Sequence, residues 1–150
     1  MLQLGDKPGQ KGCWTHKYLR QMLSDLGGDG LLLKSLELRL YTARPDLGPN
    51  QALADFTEPT FTGYAKKNPL VWGTPLYEDG QVSIMSVSPD PTFACTAAPA
   101  EPQVVKGYMV TIADGAGFAV VFAEDIDPVT ISDVGNFVTI VPRIVLGTRF

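Results

Sequence analysis

The stretch ADFTEPTFTGYA, residues 54–65, packs turn formers, strand formers and three aromatic anchors into twelve residues. Phe56, Phe61 and Tyr64 supply its apolar content, while Thr57, Glu58 and Pro59 interrupt it. Pro59 has no N–H to give a central ladder, so the interruption reads as a corner between strands. Residues 60–65 are predicted to resume as a strand, with Thr60, Thr62 and Tyr64 on one face and Phe61, Gly63 and Ala65 on the other. The expectation is a β-protein corner pinned by the three aromatic rings.

Upstream of that corner the pattern has period two. From Leu31 on, Ser35, Glu37, Arg39 and Tyr41 alternate with Leu36, Leu38, Leu40 and Thr42, which predicts a half-buried strand. A proline-rich loop, ARPDLGPNQ, joins it to the corner. Downstream, strands are predicted over residues 70–77 and 81–87, joined at Asp79 and Gly80. A second hairpin joins 104–112 to 118–123 through ADGAG, a glycine-rich loop longer than two residues. The proline-rich SPDPTFACTAAPAEPQ between the hairpins reads as a surface loop holding one short strand, TFACT. The last strand, from Phe137 to Val141, is broken at Pro142, which signals an edge, a bulge or a change of sheet, and continues through Leu146.

Residues 1–12 lack periodicity and read as an extended arm. In WTHKYLRQMLSDLG the apolar positions Trp14, Tyr18, Met22 and Leu26 fall four apart, which predicts an amphipathic helix stopped by Gly27 and Gly28. The resulting division is an arm and helix over 1–30, with Trp14, Tyr18, Met22 and Leu26 as candidate inter-subunit contacts, and a β-domain over 31–150. With about eight strands and one helix, parallel crossovers are lacking, so the fold class is mainly β: an antiparallel, jelly-roll-like sandwich or barrel.

Composition narrows the function classes. The 15 glycines and 12 prolines exceed the roughly 12% average share of these residues and fit a turn-rich β-protein. Net charge is −4, and no basic cluster exceeds the pair Lys66 and Lys67, so nucleic acid is not an expected partner. No run approaches the ~20 apolar residues of a membrane span, and MLQLGDKPGQKG lacks the apolar core of a signal peptide. The two cysteines, Cys13 and Cys95, have no ligand-like spacing and are expected to be free thiols in a reducing cytosol.

Each candidate for chemistry is incomplete. Cys13 and His16 stand three apart, but a zinc site needs three or four protein ligands and His16 is the single histidine. Glu124, Asp125 and Asp127 in EDIDP read as loop carboxylates without the further ligands and glycine of a calcium loop. Asp133, Gly135 and Asn136 read as turn chemistry. Asp55 and Glu58 beside Tyr64 could be posed as an acid and base pair on a sugar. Thr57 and Glu58 are instead expected to satisfy backbone groups at the corner. Trp72, Tyr77 and Tyr108 could form a sugar-stacking platform but fit core or interface positions better. With no GxSxG, P-loop, dinucleotide or HExxH motif in the sequence, no catalytic residue, metal site or cofactor is assigned.

The segments LRLYT (38–42), ALADFTEPTFTGYA (52–65), VKGYMVTIADGAG (105–117) and VTISDVGNFVTIVPRIVL (129–146) together resemble a family of small structural proteins of tailed phages and prophages. The resemblance covers roughly residues 36–146, and shorter members begin near the first strand, so the first 35 residues stand out as an extension. It implies a virion component on the capsid surface, made in the host cytoplasm: a decoration or cement protein that partners the major capsid protein and itself, as a homo-oligomer and most simply a trimer. A tail or fibre module binding host glycans is the alternative it leaves open. It carries over no catalytic residue.

Overall fold

The computed structural model describes residues 12–14, 36–47, 51–74, 76–78, 81–114 and 117–147. The predicted arm up to residue 11 and the helical stripe beyond Trp14 therefore lie outside the described residues. Trp14 itself stands in a strand, Gly12–Trp14 (β1), and not in the first turn of a helix.

Among the described residues the strands are β1, β2 (Glu37–Tyr41), β3 (Val71–Trp72), β4 (Leu76–Glu78), β5 (Gln81–Ser88), β6 (Thr92–Ala94), β7 (Gln103–Asp114), β8 (Gly117–Ile131), β9 (Phe137–Thr139) and β10 (Arg143–Gly147). They form antiparallel sheets in the order β1-β8-β7-β2, β10-β5-β3 with β4 also on β5, and β6-β9. The sheets do not close into a barrel, and the arrangement is sandwich-like. The main core lies between the four-stranded sheet, through Leu36, Leu38, Leu40, Tyr108, Val110 and Val121, and the layer carrying Leu70, Phe93, Val138 and Ile140. Each such side chain stabilises the fold by roughly 1.5–3 kcal/mol when fully buried. Pro142 marks the change of sheet, since β9 pairs with β6 and β10 with β5.

Three local expectations are corrected. The EDIDP segment is not a loop: it belongs to β8, a 15-residue strand. Its proline is accommodated because the β7–β8 register breaks between Val105 and Gly107, which pair with Val129 and Asp125. Pro128 thus sits in a bulge, where a missing N–H costs no ladder bond. The second hairpin is tighter than ADGAG suggests, with pairing continuing to Asp114 and Gly117. Residues 60–65 are not an alternating strand. Gly63 has φ 99° and the Tyr64 N–H donates to the Phe61 carbonyl at 3.1 Å, so the chain turns and brings both rings to one side, 5.6 Å apart.

β2 ends the four-stranded sheet, yet its outer edge is paired. The Leu38 N–H donates to the Lys67 carbonyl and the Lys67 N–H returns to Leu38, at 2.8 and 2.9 Å. The Leu70 N–H reaches the Leu36 carbonyl, and Thr57 exchanges bonds with Thr42 and Ala43. The corner segment therefore acts as an interrupted fifth strand that blocks the sheet edge against pairing with another chain.

Candidate functional site

β2 was expected to be half-buried, but both of its faces are covered: Glu37 and Arg39 are each 8% exposed and Tyr41 is fully buried. The cover on the polar face is a network of paired charges. The Arg39 guanidinium donates to Thr111 Oγ1 (3.1 Å), Glu58 Oε2 (3.1 Å) and Glu37 Oε2 (3.4 Å). Lys66 Nζ donates to both Glu37 oxygens at 3.0 and 3.1 Å, and Asn68 adds a bond of 3.2 Å to Oε1. Arg39 and Lys66 also lie 4.5 and 4.3 Å from the Phe118 ring centre. Two cations thus meet two carboxylates, the condition under which buried charge is tolerated.

Tyr64 joins this network to the sheet edge. Its hydroxyl accepts from the Leu40 N–H at 3.1 Å and donates to Glu58 Oε1 at 2.6 Å, so one phenol replaces a missing strand partner. Glu58 therefore serves side chains, contrary to the expectation that it satisfies backbone groups, while Thr57 does pair through its backbone. Of the three corner aromatics, Phe61 is 3% exposed, Phe56 packs on Tyr41 at 5.4 Å, and Tyr64 stacks on Phe93 at 5.9 Å.

A second network sits where Tyr41, Gly107 and Asp125 are aligned across three strands. The Tyr41 hydroxyl donates to Asp125 Oδ1 at 2.7 Å, and Arg44 binds both Asp125 oxygens at 2.6 and 2.8 Å. The path is open because position 107 is glycine: a Cβ there would overlap the Tyr41 hydroxyl and the Glu124 carbonyl oxygen. On the neighbouring pair Tyr108 donates to Glu124 Oε2 at 2.6 Å. Burial, with a carboxylate neighbour adding to it, pushes the phenols of Tyr41, Tyr64 and Tyr108 well above the usual tyrosine range.

The sequence candidates do not converge. Glu124 serves Tyr108, Asp125 serves Arg44 and Tyr41, and Asp127 is exposed. Asp55 accepts the Ala52 N–H in a 3-10 turn at Leu53–Asp55, while Glu58 is held by Arg39 and Tyr64. Tyr108 is buried in the core and Trp72 is partly buried against it, so these two form no exposed platform. Cys13 lies in β1, His16 and the remaining stripe residues Tyr18, Met22 and Leu26 lie outside the described residues, and Cys95 is a buried free thiol donating to the Ala97 carbonyl. Asp133, Gly135 and Asn136 do form a turn, in which the Asn136 amide oxygen accepts the Ser132 and Asp133 N–H groups.

Two surface features remain. A groove of about 760 Å³ runs past Thr57, Thr60, Thr62, Gln103 and Lys106. The sheet around β5 presents an apolar face: Leu76 is 56% exposed, Met85 46% and Val87 67%. Leu76 pairs with Ser83, and Ser83, Met85 and Val87 are spaced by two, which places all of them on one side of the sheet. Val87 and Val141 also border a cleft of about 220 Å³. Sequence reading missed this face because exposure of a strand residue depends on which sheets stack, and alternation alone does not say which face is covered.

In comparison with known proteins, no family model, no curated protein and no solved structure matches the chain.

Proposed function

We propose that the protein is a virion structural protein that decorates the outside of a tailed-phage head and stabilises the shell. The observation that carries this reading is the exposed apolar face of Leu76, Met85 and Val87, which suits contact with a neighbouring protein. Two features support it. The motifs that resemble small phage structural proteins cover β9 and most of β2, β7 and β10, and the carboxylates of Glu37, Glu58 and Asp125 are engaged in internal ion pairs. The partner is the major capsid protein, and the protein acts as a homo-oligomer, a trimer suiting the local threefold positions of an icosahedral lattice. Binding only to the assembled shell shifts the equilibrium towards assembly, and repetition over many positions makes individually weak contacts sufficient.

The test is purification of intact heads of the encoding phage. The protein is expected in fixed stoichiometry on heads, and heads lacking it release DNA at a lower temperature. Heads with unchanged heat resistance would overturn the reading. The groove lined by threonines and Gln103 favours a second reading, a module binding host glycans. Saturable glycan binding by the isolated protein, without binding to heads, would put that second reading first.

A further inference from the structure

β2 ends before β7 does. The two pair from Glu37 opposite Thr111 to Tyr41 opposite Gly107, while β7 extends on to Gln103. Beyond Tyr41 the chain leaves that position: Ala43 joins the corner segment, its carbonyl accepting the Thr57 N–H at 2.9 Å. The corner lies outside β2, two strand spacings or roughly 9–10 Å from β7. One strand's width is therefore left between the corner and residues 103–106 of β7. The groove of about 760 Å³ lies there, bordered by Thr42 where β2 stops, by Thr57 and Thr60, and by Val104 and Lys106.

The backbone of β7 is open towards this groove. Leu36, Leu38, Leu40 and Thr42 bond away from β7, to Leu70, Lys67, the Tyr64 hydroxyl and Thr57, so the alternate residues Glu37, Arg39 and Tyr41 face it. Their partners Thr111, Met109 and Gly107 face β2 in turn. The extra residues at both register breaks of the hairpin belong to β8, so β7 keeps its alternation. Val105 and Gln103 thus point their N–H and C=O groups the same way as Gly107, where no backbone group among the described residues pairs with them. The Gln103 side chain shows what the space accepts. Its amide takes the part of a strand's peptide group, accepting the Thr60 N–H at 2.7 Å and donating to Thr60 Oγ1 at 3.1 Å.

The lining also selects. Among the described residues it holds one aromatic ring, Phe61, which at 3% exposure offers no face for stacking a sugar. Glu58 is held by Arg39 and Tyr64, whereas Lys106 is exposed and has no ion pair among the described residues. Glu101, the exposed carboxylate of the lining, precedes β7 and stands five residues before Lys106.

We propose that this groove is a strand-addition site: it takes about four residues of an extended segment of another protein, paired with the main chain of Gln103 and Val105 and carrying a carboxylate to Lys106. The site is formed by residues other than those of the apolar face, so it does not rest on the proposed decoration role.

The test selects a displayed library of random eight-residue peptides on the full chain and follows amide exchange by NMR. In the free protein the Val105 amide is expected to exchange at least tenfold faster than that of Val104, whose N–H faces β8. Enriched peptides should carry an acidic residue, slow the Val105 amide at least tenfold at saturation, and bind at least tenfold more weakly to the Lys106→Glu variant. A Val105 amide as slow as Val104 in the free protein would overturn the proposal. So would peptides that leave Val105 exchange unchanged or bind parent and variant equally. Selection that enriches no peptide would also overturn it, and a glycan then bound by the parent and lost on Lys106→Glu would assign the groove to sugar.

Discussion

At the scale of single residues, Gly107 and Tyr64 carry more structure than their neighbours. A methyl group at position 107 would collide with the Tyr41 hydroxyl and with backbone, neither of which can give way without breaking the Asp125 network. Gly107→Ala is expected to destabilise by at least the ~1–3 kcal/mol of an overpacked core, measured by denaturant titration. Tyr64→Phe keeps the ring stacking but leaves the Leu40 N–H without its acceptor, a loss of about 1–3 kcal/mol. The buried phenols of Tyr41 and Tyr108 and the partly buried phenol of Tyr64 also set a pH dependence. Their pKa values are raised in the folded state, so the unfolded chain loses these protons near pH ~10 while the folded chain keeps them. Stability from these groups is full below about pH 10 and falls as pH rises beyond it. Denaturation midpoints that stay level between about pH 9 and pH 11 would contradict that burial.

At the scale of elements, the corner segment holds the sheet edge and its rings reach the core. Phe61→Ala should cost about 3–5 kcal/mol, read from the denaturation midpoint; a loss under ~1 kcal/mol would mean the ring is not a core anchor. This element shows what the sequence made legible. Aromatic spacing and Pro59 announced a corner, and the Asp-Gly pairs and Pro142 marked hairpins and a sheet change. What escaped was long-range. Glu37 and Arg39 looked solvent-facing because alternation reports only a repeat of two, while their burial depends on Glu58 and Lys66 arriving 19 and 29 residues away. EDIDP looked like a loop because its carboxylates and proline oppose strand formation locally. β7 supplied a partner strand, and Tyr41 with Arg44 supplied the charge pairing for Asp125.

At the scale of the whole molecule, antiparallel sheets enclose one main core, internal ion pairs neutralise the buried charge, and one sheet face is left apolar and outward. The proposed role as a head decoration protein rests on that last feature, so the direct test alters it and nothing else. Met85→Glu with Val87→Glu changes two exposed side chains that face away from the core, and the variant is expected to melt close to the parent. The decisive measurement is occupancy on purified heads of the encoding phage after incubation with parent or variant protein, read by quantitative mass spectrometry. The account predicts saturable, stoichiometric binding of the parent and at least a tenfold weaker affinity for the variant, about 1.4 kcal/mol. Equal occupancy by both proteins, or no binding by the parent, would contradict it.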